Sequence, residues 1–100
     1  MLPPNSRETC QRLRDAALGI HALQVLARTA DGQVDVRIDG WQLRLLLDAD
    51  GLAQCSLCRT PDGREAGLQD WHRYGTNPTD LLSIWERGRI EQLLATGIPE

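Results

Sequence analysis

The stretch VDVRIDGWQLRLLLDADGLAQCSLC, Val34 to Cys58, decides the fold, because its alternation is that of a three-stranded β-meander. Val34, Val36 and Ile38 alternate with Asp35, Arg37 and Asp39, a period of two with one wet face. Asp39-Gly40 then gives a two-residue hairpin, since a type I′ turn needs positive φ at both positions. Trp41, Leu43, Leu45 and Leu47 alternate with Gln42, Arg44, Leu46 and Asp48. With Ile38 and Trp41 flanking the turn, Val36 faces Leu43 and Val34 faces Leu45. Asp35 lies across from Arg44, an opposite-charge pair worth about 0.2–1 kcal/mol. A slip of one residue would set apolar against polar throughout, so the register is well specified.

The next turn reads as Ala49-Asp50-Gly51, three residues with Gly51 left-handed. It pairs Leu47 with Ala53, Leu45 with Cys55 and Leu43 with Leu57. A two-residue Asp50-Gly51 turn would oppose Leu47 to Gln54 and fits less well. On the longer turn Cys55 points into the core and Cys58 to the opposite face. Pro61-Asp62-Gly63 marks another turn, and a short fourth strand over Arg64–Leu68 is weakly signalled.

Helices flank the meander. Asn5 with Glu8 suits a capping-box variant, and Cys10, Leu13, Ala17 and Ile20 recur at helical spacing. Gly19 either ends this helix or is tolerated inside it, and the expectation for residues 20–28 is a fading helix rather than a first strand. Leu68–Tyr74 reads as a short helix. Asn77-Pro78-Thr79-Asp80 opens a second long helix, with Leu81, Leu82, Trp85, Leu93 and Leu94 as its apolar stripe and Gly97 with Pro99 as its stop. Gly88 marks close packing or a bend. The expected fold class is therefore α+β, a two-layer α-β-β-β-α in which two amphipathic helices cover a three-stranded antiparallel meander. Trp41, Leu45 and Trp85 should be among the costliest side chains to truncate.

One hundred residues suit a single domain spanning 1–100. Met1 to Asn5 lacks a signal-peptide pattern, no apolar run reaches membrane-spanning length, and three cysteines do not make a secreted disulfide scaffold. A cytoplasmic location follows as the expectation, with no membrane partner. The net charge of −3 is unevenly spread, with five Asp against two Arg in residues 31–58. No basic surface suited to phosphate neutralisation emerges, so nucleic acid is not an expected partner. All eleven basic residues are Arg. The absence of lysine excludes Schiff-base chemistry and a Walker-type phosphate loop, and no cofactor is implied.

Cys55-x-x-Cys58 is the first chemical candidate. A zinc site needs two further ligands, and only Cys10, His21 and His72 are on hand, without a second knuckle-like spacing. Redox pairs usually open a helix, whereas these flanks read as strand. Extended, the two Cα atoms stand ~10 Å apart at ~3.3 Å per residue, beyond disulfide reach. A strand ending near Gln54 would revive both ideas. Asp48-Ala49-Asp50-Gly51 resembles a fragment of a calcium loop without its remaining ligands. Asp70 and His72 are an acid and an imidazole, but near neighbours on a helix are poorly placed to act on each other. Trp71, Arg73 and Tyr74 are residue types enriched at interface hot spots. Arg87-Gly88-Arg89 reads as a solvated helix face.

The chain resembles a family of short bacterial proteins of unknown function, known mainly from pseudomonads. The resemblance rests on Cys10-Gln-x-Leu13-Arg-Asp15-x-Ala17-Leu18-Gly19, Asp39-Gly40-Trp41-x-Leu43 and Cys55-x-x-Cys58-x-x-Pro61-Asp62-Gly63-Arg64. It continues through Trp71-x-Arg73-Tyr74-Gly75-Thr76-x-Pro78 and Leu81-Leu82-Ser83-x-Trp85-Glu86. It implies a compact domain and transfers no activity.

The expected function is a non-enzymatic cytoplasmic protein–protein interaction or regulatory accessory module. Its contact surface would combine an acidic open sheet face with Trp71, Arg73 and Tyr74, so that truncating Trp71 leaves folding nearly intact. The partner is an unidentified protein, and a homodimer through an uncovered sheet face or edge is a further expectation. The alternative is a metal-binding or thiol-dependent protein using Cys55 and Cys58 with His72 or Cys10.

Overall fold

The structure, a computed structural model, describes residues 4–49, 51–72 and 76–96, with the side chains of His72 and Thr96 left aside. It is α+β. Helix α1 (Ser6–Ala17) is followed by five strands, β1 (Leu23–Arg28), β2 (Gln33–Ile38), β3 (Trp41–Asp48), β4 (Gly51–Arg59) and β5 (Glu65–Gly67). A short helix α2 (Leu68–His72), a 3-10 turn (Pro78–Leu81) and helix α3 (Ile84–Thr96) complete it. The strands form one antiparallel meander in chain order. The expected three-strand layout gains β1 on one side, while β5 and α2 fall on the weakly signalled strand over Arg64–Leu68 and the short helix read over Leu68–Tyr74.

Asn5 caps α1, its Oδ1 accepting from the Glu8 amide at 2.8 Å. Cys10, Leu13 and Ala17 are buried as the spacing requires, but Ile20 is exposed. The helix has already ended. Gly19 sits at φ 78° and donates to Ala16 O, while Ile20 donates to Asp15 O, the paired bonds of a Schellman stop. Residues 23–28 are therefore strand and not the expected fading helix. Val25 pairs with Val36, and a bulge between Val25 and Ala27 breaks the alternation that would have announced β1.

The β2–β3 hairpin has the register read from sequence, Ile38 with Trp41, Val36 with Leu43, Val34 with Leu45 and Asp35 with Arg44. Its turn carries positive φ at Asp39 and Gly40. The β3–β4 pairing departs from expectation. Asp48 pairs with Gly51 and Leu47 with Leu52, so the connection is Ala49-Asp50, of which Asp50 lies outside the described residues. The register shifts at Ala53, restoring Leu45 opposite Cys55, and again at Ser56, placing Leu43 opposite Cys58 rather than Leu57. Each bulge inserts one residue, so the inward positions of β4 become Leu52, Cys55 and Cys58, spaced by three.

One face of the sheet carries the core. Val25, Val34, Val36, Ile38, Leu43, Leu45, Leu52, Cys55, Cys58 and Ala66 meet Leu13, Ala16 and Ala17 of α1 and Ile90 and Leu94 of α3. Beyond the three residues paired with β5, the outer edge of β4 is occupied by side chains. Arg87 donates to Leu52 O at 2.6 Å, Thr79 to Ala53 O at 3.4 Å, and Asn77 both donates to Cys55 O at 2.9 Å and accepts from Cys55 N at 3.0 Å. These bonds take up the groups that an added strand would need, so this segment is closed to pairing with a second copy.

The second long helix does not start at Asn77. Asn77 caps the 3-10 turn, accepting from the Thr79 amide, and Leu82 leaves helical geometry. Ser83 then begins α3 with a reciprocal capping box. Its Oγ accepts from Glu86 N at 3.2 Å, and Glu86 Oε1 accepts from Ser83 N at 2.8 Å. The other Glu86 oxygen holds Arg14 Nε at 2.7 Å, tying α3 to α1. These bonds to the ionised carboxylate, the Ser83 amide first, hold its pKa below the ordinary value. A lowered carboxylate pKa adds stability that is complete above the unfolded value of ~4.3 and is lost as pH falls through the folded one. Acid titration of folding stability should therefore show a limb below the usual Glu range that flattens in Glu86→Gln.

Candidate functional site

The expected sites separate once they are placed in the fold. Cys55 and Cys58 do not project to opposite faces of the strand. The Ser56 bulge turns both inward, opposite Leu45 and Leu43, and both are fully buried. They are free thiols, as is the buried Cys10. Their cross-strand partners are two residues apart on β3, a separation of about 6–7 Å along the strand. Among the described residues no group of three or more His, Cys, Asp or Glu side chains is placed to hold a metal ion. His72, the further ligand named for that alternative, has its side chain outside the described residues. Burial pushes the Cys55 thiol well above its ordinary pKa and the Cys58 thiol up to about 11, with a Thr9 hydrogen bond pulling Cys58 the other way. Burial also raises Cys10. At pH 8 a thiol of that pKa is ionised in about one molecule in a thousand. All three cysteines should stay unlabelled by a thiol reagent at pH 8 in folded protein and react promptly in denaturant; fast labelling of native Cys55 would contradict this placement.

Trp71 is buried too, at 2 % exposure, and its indole Nε1 donates to Pro4 O at 3.3 Å. It is part of the hydrophobic core and not the surface contact residue expected, whose truncation would have left folding nearly intact. Arg73 and Tyr74, the other expected contact residues, lie outside the described residues. Asp70 accepts from Gly67 N at 2.8 Å and so closes the start of α2, a structural duty for the carboxylate that neighbours His72 in sequence. Asp48 is exposed, and Asp50 of the calcium-like fragment lies outside the described residues.

The uncovered sheet face is not acidic. Asp35, Asp48 and Glu65 share it with Arg37, Arg44 and Arg59, three acids against three bases. Asp35 pairs with Arg44 at 2.8 Å, and Glu65 pairs with Arg59. The excess of Asp in residues 31–58 disperses because Asp31 and Asp39 sit in turns. A shallow cavity of about 240 Å³ on this face is lined by Leu26, Gln42 and Leu57 together with Asp35, Arg44 and Arg59.

What the sequence reading missed is on α3. Because the helix begins at Ser83, Arg87, Ile90 and Leu94 turn to the sheet, while Ile84 is 91 % exposed and Trp85 60 %. Trp85 is thus no part of the core. Leu81, in the preceding 3-10 turn, is 37 % exposed and walls a cavity of about 460 Å³ shared with Asn5, Ser6, Arg7 and Thr76. On a 100° helical wheel Gly88 falls on this same outward side, between Ile84 and Trp85. A Cβ at Gly88 would meet nothing within 4 Å, so no internal packing demands the glycine. A mid-helix glycine costs about 0.5–1 kcal/mol relative to alanine. Gly88→Ala should accordingly raise the unfolding midpoint in urea. The sequence signal for this face was present in Ser83-x-x-Glu86, masked by the stronger Asn77-Pro78 start.

A protein-family model described as a domain of unknown function, DUF7693, matches residues 4–96. The chain belongs to the DUF7693 family. That match runs from the residue holding the Trp71 indole, Pro4, to the last residue of α3, so the DUF7693 domain comprises the whole sheet and all three helices. No curated protein and no solved structure matches the chain. Among the described residues, no helix is long and apolar enough to cross a membrane.

Proposed function

We propose that this DUF7693 domain is a non-enzymatic protein–protein interaction or regulatory accessory module of the bacterial cytoplasm, making contact through the outward face of α3. The observation that carries the reading is the exposure of Ile84 and Trp85 side by side on a well-capped helix. Large apolar side chains in contiguous exposed positions are costly to leave in water and mark contact surfaces, and Trp is the residue type most enriched at hot spots. Arg73 and Tyr74 are retained as a second contact element, whereas Trp71 serves the core. A homodimer is the other occupant this face could take.

The test is affinity capture by the intact chain from its native cells, followed by reconstitution with each purified candidate. Ile84→Asp combined with Trp85→Ser should leave the unfolding midpoint nearly unchanged, because both side chains are exposed, and should abolish binding of the reconstituted partner. A partner bound equally by the double variant would reject this surface. Sedimentation of the chain alone separates the homodimer, which the same variant would dissociate.

A further inference from the structure

We infer that the uncovered sheet face is the contact surface of a homodimer, in which a second copy packs face to face about a two-fold axis running across the strands between Arg44 and Leu46. The inference goes beyond the contact proposed for α3 and does not depend on it. Helices α1 and α3 both pack on the core side of the sheet, which leaves the other side open. The ladder fixes where each outward side chain lies. Arg37 and Arg59 stand in the cross-strand row at the Asp39-Gly40 end; Asp35, Arg44 and Leu57 form the next row, Leu46 belongs to the third, and Asp48 ends β3. Arg44 is paired with Asp35 and Arg59 with Glu65, whereas Arg37 has no ion pair among the described residues. An unpaired base thus lies at one end of the face and an exposed acid at the other, about 20 Å apart along the strands. Between them Leu46 and Leu57 are half-buried.

That arrangement chooses both the occupant and the axis. A two-fold axis across the strands exchanges the ends of the face, so that Asp48 of the second copy falls between Arg37 and Arg59, and the same contact recurs on the far side of the axis. It also sets Leu46 beside Leu57 of the second copy twice, giving four leucines around the centre. The Asp35–Arg44 pairs enter this contact already neutralised. An axis parallel to the strands would instead bring Arg37 against Arg59 of the second copy, and like charges in opposition weaken a contact. Five strands at ~4.8 Å spacing and ~20 Å of strand give a face of roughly 400 Å² in plan. Side-chain relief brings that to the lower end of standard interfaces, the range of a micromolar dimer.

The test is sedimentation of the purified chain over a concentration series reaching millimolar. The expected result is a monomer–dimer equilibrium that weakens as salt is raised. Arg37→Asp alone and Asp48→Arg alone should each weaken the dimer at least tenfold, because each sets like charges together at both ends of the axis. An equimolar mixture of the two variants should regain dimers, since in the mixed pair each altered end meets its complement and each natural end meets its own. Misfolding of either variant could not produce that rescue. Leu57→Ser should also weaken the dimer tenfold or more, whereas Ile84→Asp with Trp85→Ser should leave it unchanged. A chain that stays monomeric throughout, or a mixture no more dimeric than its separate components, would overturn the inference. A dimer dissociated by the Ile84 and Trp85 changes and indifferent to Leu57→Ser would place the second copy on α3 and overturn it equally. Loss of the α3 contact to a reconstituted partner, with this dimer intact, would leave it standing.

Discussion

Trp71→Ala is expected to lower folding stability by about 3–5 kcal/mol, the range for removing a buried tryptophan, and to shift the urea midpoint without a change in slope. The side chain is 2 % exposed inside the hydrophobic core, so its deletion leaves a cavity that the neighbouring helix and strands fill only in part. It also frees Pro4 O from the indole N–H, although one such bond contributes only about 1 kcal/mol. A small domain has about 5–15 kcal/mol in total, and the substitution therefore removes a large share of it. Trp85→Ala is the control. At 60 % exposure it should cost well under 1 kcal/mol. Equal losses for the two variants would contradict the placement of one tryptophan in the core and the other on the exposed surface.

The contrast between these tryptophans shows which parts of the fold were legible in the sequence. The β2–β3 hairpin was, because Asp39-Gly40 fixes the turn and alternation on both strands fixes the register, both local signals. The β4 register was not. A bulge adds a residue without any required residue type, and its trace was the spacing of Leu52, Cys55 and Cys58 by three, a period that belongs to neither a regular strand nor a turn. Assigning the two cysteines to opposite faces followed from applying strict alternation across Ser56. The burial of Trp71 was equally hidden, since its indole partner Pro4 is 67 residues away and nothing local distinguishes it from an exposed aromatic.

The candidate site was missed for a different reason, a competition between two valid signals. Asn77-Pro78 is a helix start, and the structure honours it with a 3-10 turn whose Asn77 also holds the Cys55 backbone. Ser83-x-x-Glu86 is a second start six residues later, and the ion pair to Arg14 fixes it against α1. Moving the helix origin from Asn77 to Ser83 takes Trp85 out of the apolar stripe and puts Ile90 into it. Helical spacing from Asn77 thus assigns an exposed face to the core, and local composition assigns Trp71, a core residue, to the surface.

Leu45→Ala should be the second large loss, about 2–5 kcal/mol. Leu45 is fully buried at the middle of β3, the central strand of five, with Val34 on one side and Cys55 on the other. Its neighbour Leu46 has the same chemistry and the same strand, but it points to the uncovered face opposite Gln33 and Gln54 and is only partly buried. Leu46→Ala should therefore cost markedly less, because truncation there opens no closed cavity and forfeits only part of the transfer term. The ratio of the two losses measures how one-sided the sheet is. Cys55→Ala should be non-additive with Leu45→Ala in a double-mutant cycle, since the two side chains are directly opposed on the buried face. The same cycle between Leu45 and Ser56 should show no coupling, because the bulge at Ser56 takes that side chain out of the pairing. Coupling to Ser56 in place of Cys55 would mean that the strand runs one residue out of the register described, with the thiols no longer facing the core together.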